Sequence, residues 1–105
     1  EFDKKDKYLI FSGIGNHGTF LNMLKNYNLN IVKDLEFPDH YKYTNYDIDM
    51  ILKISDDMSC KIITTEKDYL RLEKKIDKIN FIKSDLKIID EDKLVSTILK
   101  LDEKN

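Results

Sequence analysis

Asp39 and His40 form the pair of side chains in this sequence best suited to chemistry, and they directly follow Pro38. A histidine can share a proton near neutral pH and can hydrogen-bond a carboxylate or a hydroxyl group. Residues 31–37 alternate apolar and polar side chains, which predicts a strand that ends just before the pair. Pro38 restricts its own φ and favours an extended residue before it, so the loop should leave the strand in a defined direction. The pair is therefore a candidate site at the end of a strand; an exposed turn with His40 in solvent is the alternative.

Two further polar segments follow apolar runs. The first comes after residues 8–11 and contains Gly13, Gly15 and Asn16. The second comes after residues 62–63 and consists of Thr65, Glu66, Lys67 and Asp68. Because parallel strands end at the same edge of a sheet, we expect both segments to converge with the Asp39–His40 loop.

Alternating strand and helix patterns position these segments. Strands are predicted at residues 8–12, 31–37, 61–64 and 80–82, and helices at 17–27, 44–59 and 65–76. Residues 86–89 are expected to extend the last strand or to form an edge strand, and residues 90–101 are predicted to form a final helix. The expected fold is a Rossmann-like α/β three-layer sandwich, with helices on both faces of a mainly parallel sheet of about four to five strands. The expected strand order is 2-1-3-4.

Length and composition indicate one soluble globular domain over residues 1–105. Charged residues make up 36% of the chain and hydrophobic residues 41%, and the net charge is −2. A nucleic-acid partner is disfavoured because it would require a basic surplus. Cys60 is the single cysteine, so no intramolecular disulfide can form, and no metal site is predicted. No apolar run approaches the ~20 residues of a membrane-spanning helix.

Three short motifs occur in a specific order: G-I-G-N at residues 13–16, F-P-D-H at 37–40 and T-T-E-K-D at 64–68, followed by Tyr69 and Arg71. Each motif alone is unspecific. Together, in this order and at this spacing, they resemble the C-terminal half of the tetraacyldisaccharide 4′-kinases, the lipid A 4′-kinases of Gram-negative bacteria. The resemblance covers residues 8–87. It implies a parent enzyme that uses ATP and Mg²⁺ to phosphorylate the 4′-hydroxyl of tetraacyldisaccharide 1-phosphate.

The resemblance also implies roles for individual residues. His40, with Asp39, would be catalytic and would reach across an interdomain cleft toward the ATP phosphates, together with an aspartate of the other domain. The residues expected to face the nucleotide or the cleft are Gly13, Gly15, Asn16, Thr65, Glu66 and Lys67. Helix capping is the alternative role for Thr65 and Asp68, and we expect Asn16 to cap its helix under either interpretation. Lys67 lies in the first turn of a helix, against the dipole preference, which favours a contact with an anion or a carboxylate.

The family's P-loop, G-x-x-x-x-G-K-[ST], is absent from the sequence. We therefore expect an N-terminal P-loop domain of the same protein to be the partner of this chain and to bind most of the ATP and Mg²⁺. The chain alone should be inactive and soluble. The full-length protein would meet its lipid A precursor at the cytoplasmic face of the inner membrane.

Other interpretations remain open. Residues 13–18 also match G-x-G-x-x-G, and Asp34 and Glu36 lie near the spacing of a ribose-binding acid, so a stand-alone nucleotide- or dinucleotide-binding module is the main alternative. A purely structural α/β interaction domain is a third interpretation.

His17 stands where the family usually has proline, and we interpret it as a position that tolerates substitution. A basic stretch forms either a solvated helix face or a patch for anionic lipid, and it comprises Arg71, Lys74, Lys75 and Lys78.

Overall fold

The structure, a computed structural model, describes residues 2–83, in which four strands alternate with three helices. The strands are β1 (Lys7–Ser12), β2 (Asn30–Glu36), β3 (Lys61–Thr65) and β4 (Ile79–Ile82). The helices are α1 (His17–Asn26), α2 (Asn45–Met58) and α3 (Glu66–Leu70). The strand or extension expected at 86–89 and the helix expected at 90–101 lie outside the described residues.

The four strands form one parallel sheet in the order β2-β1-β3-β4. This is the predicted order, and it places the carboxyl ends of β1, β2 and β3 next to one another. Ile10 of the central strand β1 pairs with Asp34 of β2 and with Ile63 of β3. A strand that is covered on both faces should be apolar throughout, and residues 8–11 are fully buried.

Two hydrophobic clusters lie on opposite faces of the sheet. Since successive strand side chains point to opposite faces, Tyr8 and Ile10 pack in the cluster that contains the apolar side of α1. Leu9 and Phe11 pack in the cluster that contains the apolar side of α2. The domain is therefore an α/β sandwich with helices on both faces of the sheet, as the sequence predicts.

Helix α2 begins at a capping box, at the position predicted for the start of this helix. The Thr44 hydroxyl accepts from the Asp47 N–H at 3.1 Å, and the Asp47 carboxylate accepts from the Thr44 N–H at 2.8 Å. Burial by itself would raise the pKa of Asp47, but the hydrogen bonds from Thr44 and Tyr41 hold it below its usual value. The helix ends at Ser59, whose φ of 52° is left-handed.

Helix α3 is shorter than predicted. The N–H groups of Arg71 and Leu72 donate to the carbonyls of Asp68 and Tyr69, three residues earlier, so the chain tightens into a turn after Leu70. Leu72 is buried on the α2 side of the sheet, and it lies beyond the end of the helix, within the range predicted to be helical. In residues 2–83, no helix has the length and apolar character needed to cross a bilayer.

Candidate functional site

Hydrogen bonds to Gly13 join the three segments that the sequence predicts to converge. The backbone N–H of Gly13 donates to Asp68 Oδ1 at 2.8 Å, which links the first segment to the third. The carbonyl oxygen of Gly13 accepts from the backbone N–H of His40 at 2.9 Å, which links the first segment to the second. The three segments therefore meet at the carboxyl edge of the sheet, as expected.

Gly13 is required by close packing of the loops. A Cβ atom at this position would lie 3.0 Å from the Pro38 carbonyl oxygen and 3.2 Å from the Tyr43 hydroxyl. At Gly15 a Cβ would meet the Asp39 carboxylate at 3.5 Å, an ordinary contact, and at Gly18 it would meet nothing within 4 Å. Of the three glycines, Gly13 is therefore the one at which a Cβ would be tighter than an ordinary contact.

Asp68 is a buried carboxylate at the centre of the site. Its side chain is fully buried, and its Oδ1 accepts from Gly13 and from the Tyr43 hydroxyl, the latter at 2.9 Å. Its Oδ2 accepts from the Thr65 hydroxyl at 2.6 Å. Thr65 in turn accepts from the Asp68 N–H, so it caps α3 as expected. A buried carboxylate is stable only when hydrogen bonds compensate for the loss of water. The main role of Thr65 and Asp68 is therefore structural, because Asp68 connects the segments that contain Gly13, Tyr43 and Thr65.

Tyr43 is a site residue that the sequence analysis missed. Burial, and then the negative charge of Asp68, raise the pKa of its hydroxyl, so the hydroxyl stays protonated and donates to the carboxylate. The ring is buried against Phe11 and Phe37. The recurrence of aromatic residues at 37, 41 and 43 is the signal that would have identified this support.

His40 stands on a tight turn, exposed to solvent. The N–H of Tyr41 donates to the Pro38 carbonyl at 3.1 Å, and His40 has a left-handed φ of 60°. This conformation costs a residue other than glycine about 1 kcal/mol or more, and such positions cluster at functional sites. The His40 side chain is 81% exposed, and its Nε2 lies 3.7 Å from Asp39 Oδ2. The adjacent pair is thus held at the rim of the site.

The remaining predicted residues lie at the same edge with differing exposure. Gly15 and Lys67 are exposed, whereas Asn16 and Glu66 are half-buried. Asn16 occupies the N-cap position of α1, but its side chain accepts no hydrogen bond from the helix backbone, so the expected side-chain cap is wrong.

Two residues of the predicted basic stretch make contacts with other segments. Arg71 turns into the site, where it contacts Gly13, Asp68 and His40, whereas Lys78 pairs with Asp56 of α2 at 3.5 Å.

His17 is not a tolerant surface position, which corrects the interpretation from sequence. The residue is only 3% exposed, and its Nδ1 lies 2.5 Å from the Ser12 hydroxyl. Its Nε2 contacts the carboxylate of Asp34 on β2. The ring therefore joins the end of β1 to β2 at the first residue of α1. Asp34 is engaged by His17, which argues against its use as a ribose-binding acid.

The donors in the described part of the chain do not fit a magnesium site. Across residues 2–83, no three His, Cys, Asp or Glu side chains are grouped so that they could hold a metal ion. The sequence also lacks the P-loop that would hold the phosphates next to the metal.

Fold and site define the class of the protein: an α/β domain whose polar loops meet at the carboxyl ends of parallel strands, where such domains bind ligands. A family model described as Tetraacyldisaccharide-1-P 4'-kinase matches residues 2–102. The chain belongs to the Tetraacyldisaccharide-1-P 4'-kinase family, which confirms the resemblance seen in its motifs.

Curated relatives named Tetraacyldisaccharide 4'-kinase agree with this assignment. The protein from Pelagibacter ubique is 55% identical over 100% of this chain and 34% of its own length. Those from Rickettsia typhi and Rickettsia bellii are 39% and 38% identical, over 93% and 97% of this chain and 30% and 32% of their own lengths. The chain thus spans about a third of the length of these relatives. No solved structure matches it significantly.

Proposed function

We propose that this chain is the C-terminal, cleft-facing part of a tetraacyldisaccharide 4′-kinase. The full protein transfers the γ-phosphoryl group of ATP to the 4′-hydroxyl of tetraacyldisaccharide 1-phosphate at the cytoplasmic face of the inner membrane. An N-terminal P-loop domain of the same protein supplies the ATP and Mg²⁺ sites. Family membership supports the reaction. The observation that carries the role of this chain is the exposed His40, held on a turn that is anchored to both other motifs.

His40 and Asp39 are the residues proposed to act in the reaction. Phosphoryl transfer depends mainly on positioning and on stabilising charge, so a well-placed hydrogen-bonding group can contribute strongly. The outward Nε2 of His40 hydrogen-bonds a carboxylate of the P-loop domain or an oxygen of the phosphates. Asp39, whose Oδ2 is 3.7 Å from Nε2, places a carboxylate beside the ring at the edge of the cleft.

The other predicted residues form the wall of the cleft. Gly15 and Lys67 are exposed at its edge, and the Lys67 ammonium is available for a phosphate or for a carboxylate of the P-loop domain. Asn16 and Glu66 add polar groups beside them. Gly13 and Thr65 act indirectly, because their contacts are with the buried Asp68 and with the neighbouring loops.

A stand-alone nucleotide-binding module is the second candidate function. Two observations weigh against a module that binds a dinucleotide. Gly18 is not required by packing, and Asp34 is engaged by His17. Binding of fluorescent ATP and NAD analogues to the chain separates the candidates. Tight NAD binding without ATP binding would favour the module.

The proposed function is tested by phosphorylation of tetraacyldisaccharide 1-phosphate with γ-labelled ATP. We expect turnover by the full-length protein that contains this chain and none by the 105-residue chain alone. Addition of the separately purified P-loop domain should restore activity to the chain if the two parts associate. Turnover by the chain alone, with contaminating kinase excluded, would contradict the proposal that the P-loop domain supplies the ATP and Mg²⁺ sites.

A further inference from the structure

Arg71 makes three contacts that connect the buried part of the site to His40. Its Nη1 donates to the Gly13 carbonyl at 2.8 Å and lies 3.3 Å from Asp68 Oδ1. Its Nη2 lies 3.2 Å from Nδ1 of His40. The Arg71 side chain is 24% exposed, whereas that of His40 is 81% exposed. Gly13 and Asp68 thus fix the guanidinium group on its buried side, and the group directs one N–H at the exposed ring of His40.

The direction of the Arg71–His40 hydrogen bond follows from the chemistry of arginine. A guanidinium group has five N–H donors, has no acceptor and does not lose its proton in proteins. Nδ1 of His40 must therefore be the acceptor, and it cannot carry a proton while the contact exists. The proton of the neutral ring is then on Nε2, the nitrogen that faces away from Arg71.

We propose that Arg71 is a positioning residue that fixes both the orientation and the tautomer of His40. The site then presents an Nε2–H donor to an anionic oxygen, either a carboxylate or a phosphate. The importance of Arg71 for catalysis rests on the proposed function of His40. The hydrogen bond between Arg71 and His40 does not depend on that function.

The anchoring of Arg71 suits this role. The Gly13 carbonyl oxygen accepts from both Arg71 and the His40 backbone, so one atom fixes the guanidinium group and the turn that carries the ring. The buried Asp68 balances the charge of Arg71. A lysine would keep that charge, but its single ammonium group cannot reproduce the planar set of donors directed at three acceptors. Arg71→Lys therefore separates the geometry from the charge.

The tautomer is measured directly by NMR of the 105-residue chain, through long-range ¹H–¹⁵N correlations within the imidazole rings. The sequence has two histidines, so His17 is an internal control for the fold. At roughly pH 8.5, above the ordinary range of histidine titration, we expect His40 to carry its proton on Nε2 and to accept at Nδ1. Arg71→Lys and Arg71→Gln should change the Nδ1 resonance and populate both tautomers, and the His17 signals should not move.

Lys74→Gln is the matched control, because it removes an exposed positive charge three residues away. It should leave both histidines unchanged. If Arg71→Gln does not fold, Arg71→Lys still decides the question. A proton on Nδ1 of His40 in the wild type, or the same tautomer and Nδ1 resonance in Arg71→Lys, would overturn the proposal.

Kinetics of the full-length kinase test whether Arg71 acts through His40. Arg71→Lys should lower kcat by about 10- to 100-fold, as expected for a misplaced group, and should change the KM for ATP little. In a His40→Ala background the same substitution should cause no further loss. Losses that multiply would mean that Arg71 acts on substrate directly and would overturn the positioning role. If His40→Ala alone keeps full turnover, the proposed function of His40 fails, and the NMR result still decides the contact.

Discussion

Gly13→Ala should destabilise the domain, because it places a methyl group where the three loops meet. The new Cβ would lie 3.0 Å from the Pro38 carbonyl oxygen and 3.2 Å from both Tyr41 Cβ and the Tyr43 hydroxyl. One of these contacts is with backbone, which cannot rotate away. Overpacking of this kind typically costs about 1–3 kcal/mol. Urea unfolding followed by circular dichroism measures the change, since the chain has no tryptophan.

The other two glycines provide matched controls for Gly13→Ala. At Gly15 the added Cβ makes only an ordinary contact, so Gly15→Ala should change the free energy of unfolding by less than about 0.5 kcal/mol. At Gly18, inside α1, there is open space, and alanine should stabilise the helix by up to about 1 kcal/mol. If Gly13→Ala is as stable as Gly15→Ala, the loops do not pack at Gly13 as described.

Two further substitutions test supports of the site. His17→Ala removes a buried ring that bridges Ser12 and Asp34. Thermal unfolding should show that the free energy of unfolding falls by about 2–4 kcal/mol. A change below about 0.5 kcal/mol would refute the bridge. Asp47→Ala removes the capping box of α2 and should cost about 1–2 kcal/mol at neutral pH. Because the pKa of Asp47 is held low in the fold, its contribution exists above the unfolded value of about 3.9 and disappears as the pH falls through the folded value. Urea midpoints at several pH values should therefore converge in acid, and a gap that is independent of pH would contradict this.

The architecture was predictable because the hydrophobic pattern of each segment matches the burial of that segment in the fold. Residues 8–11 are apolar without interruption, as a strand buried on both faces should be, and the structure places them in the centre of the sheet. The helix predicted at residues 44–59 begins where Thr44 and Asp47 form the capping box of α2. The predicted strand order, which places the turns after the first and third strands side by side, is the order that the structure has.

The supports of the site were not predictable, because they are contacts between residues distant in sequence. Asp68 and Gly13 are 55 positions apart, and Arg71 and His40 are 31 apart, so no local pattern reveals either pair. The early end of α3 and the burial of His17 are likewise set by neighbouring segments. The motifs predicted which residues form the candidate site, and the structure adds what fixes them in place.

The central claim is that His40 serves phosphoryl transfer and not the fold. The most direct test compares kcat and melting temperature for His40→Ala in the full-length kinase, with Lys74→Ala as the control because it truncates an exposed side chain. Loss of a proton-sharing partner should lower kcat about 10²- to 10⁴-fold. Truncation of a side chain that is 81% exposed should change stability by no more than about 0.5 kcal/mol. Turnover near the wild-type level, or an activity loss that follows a fall in melting temperature, would show that His40 is structural and would contradict the claim.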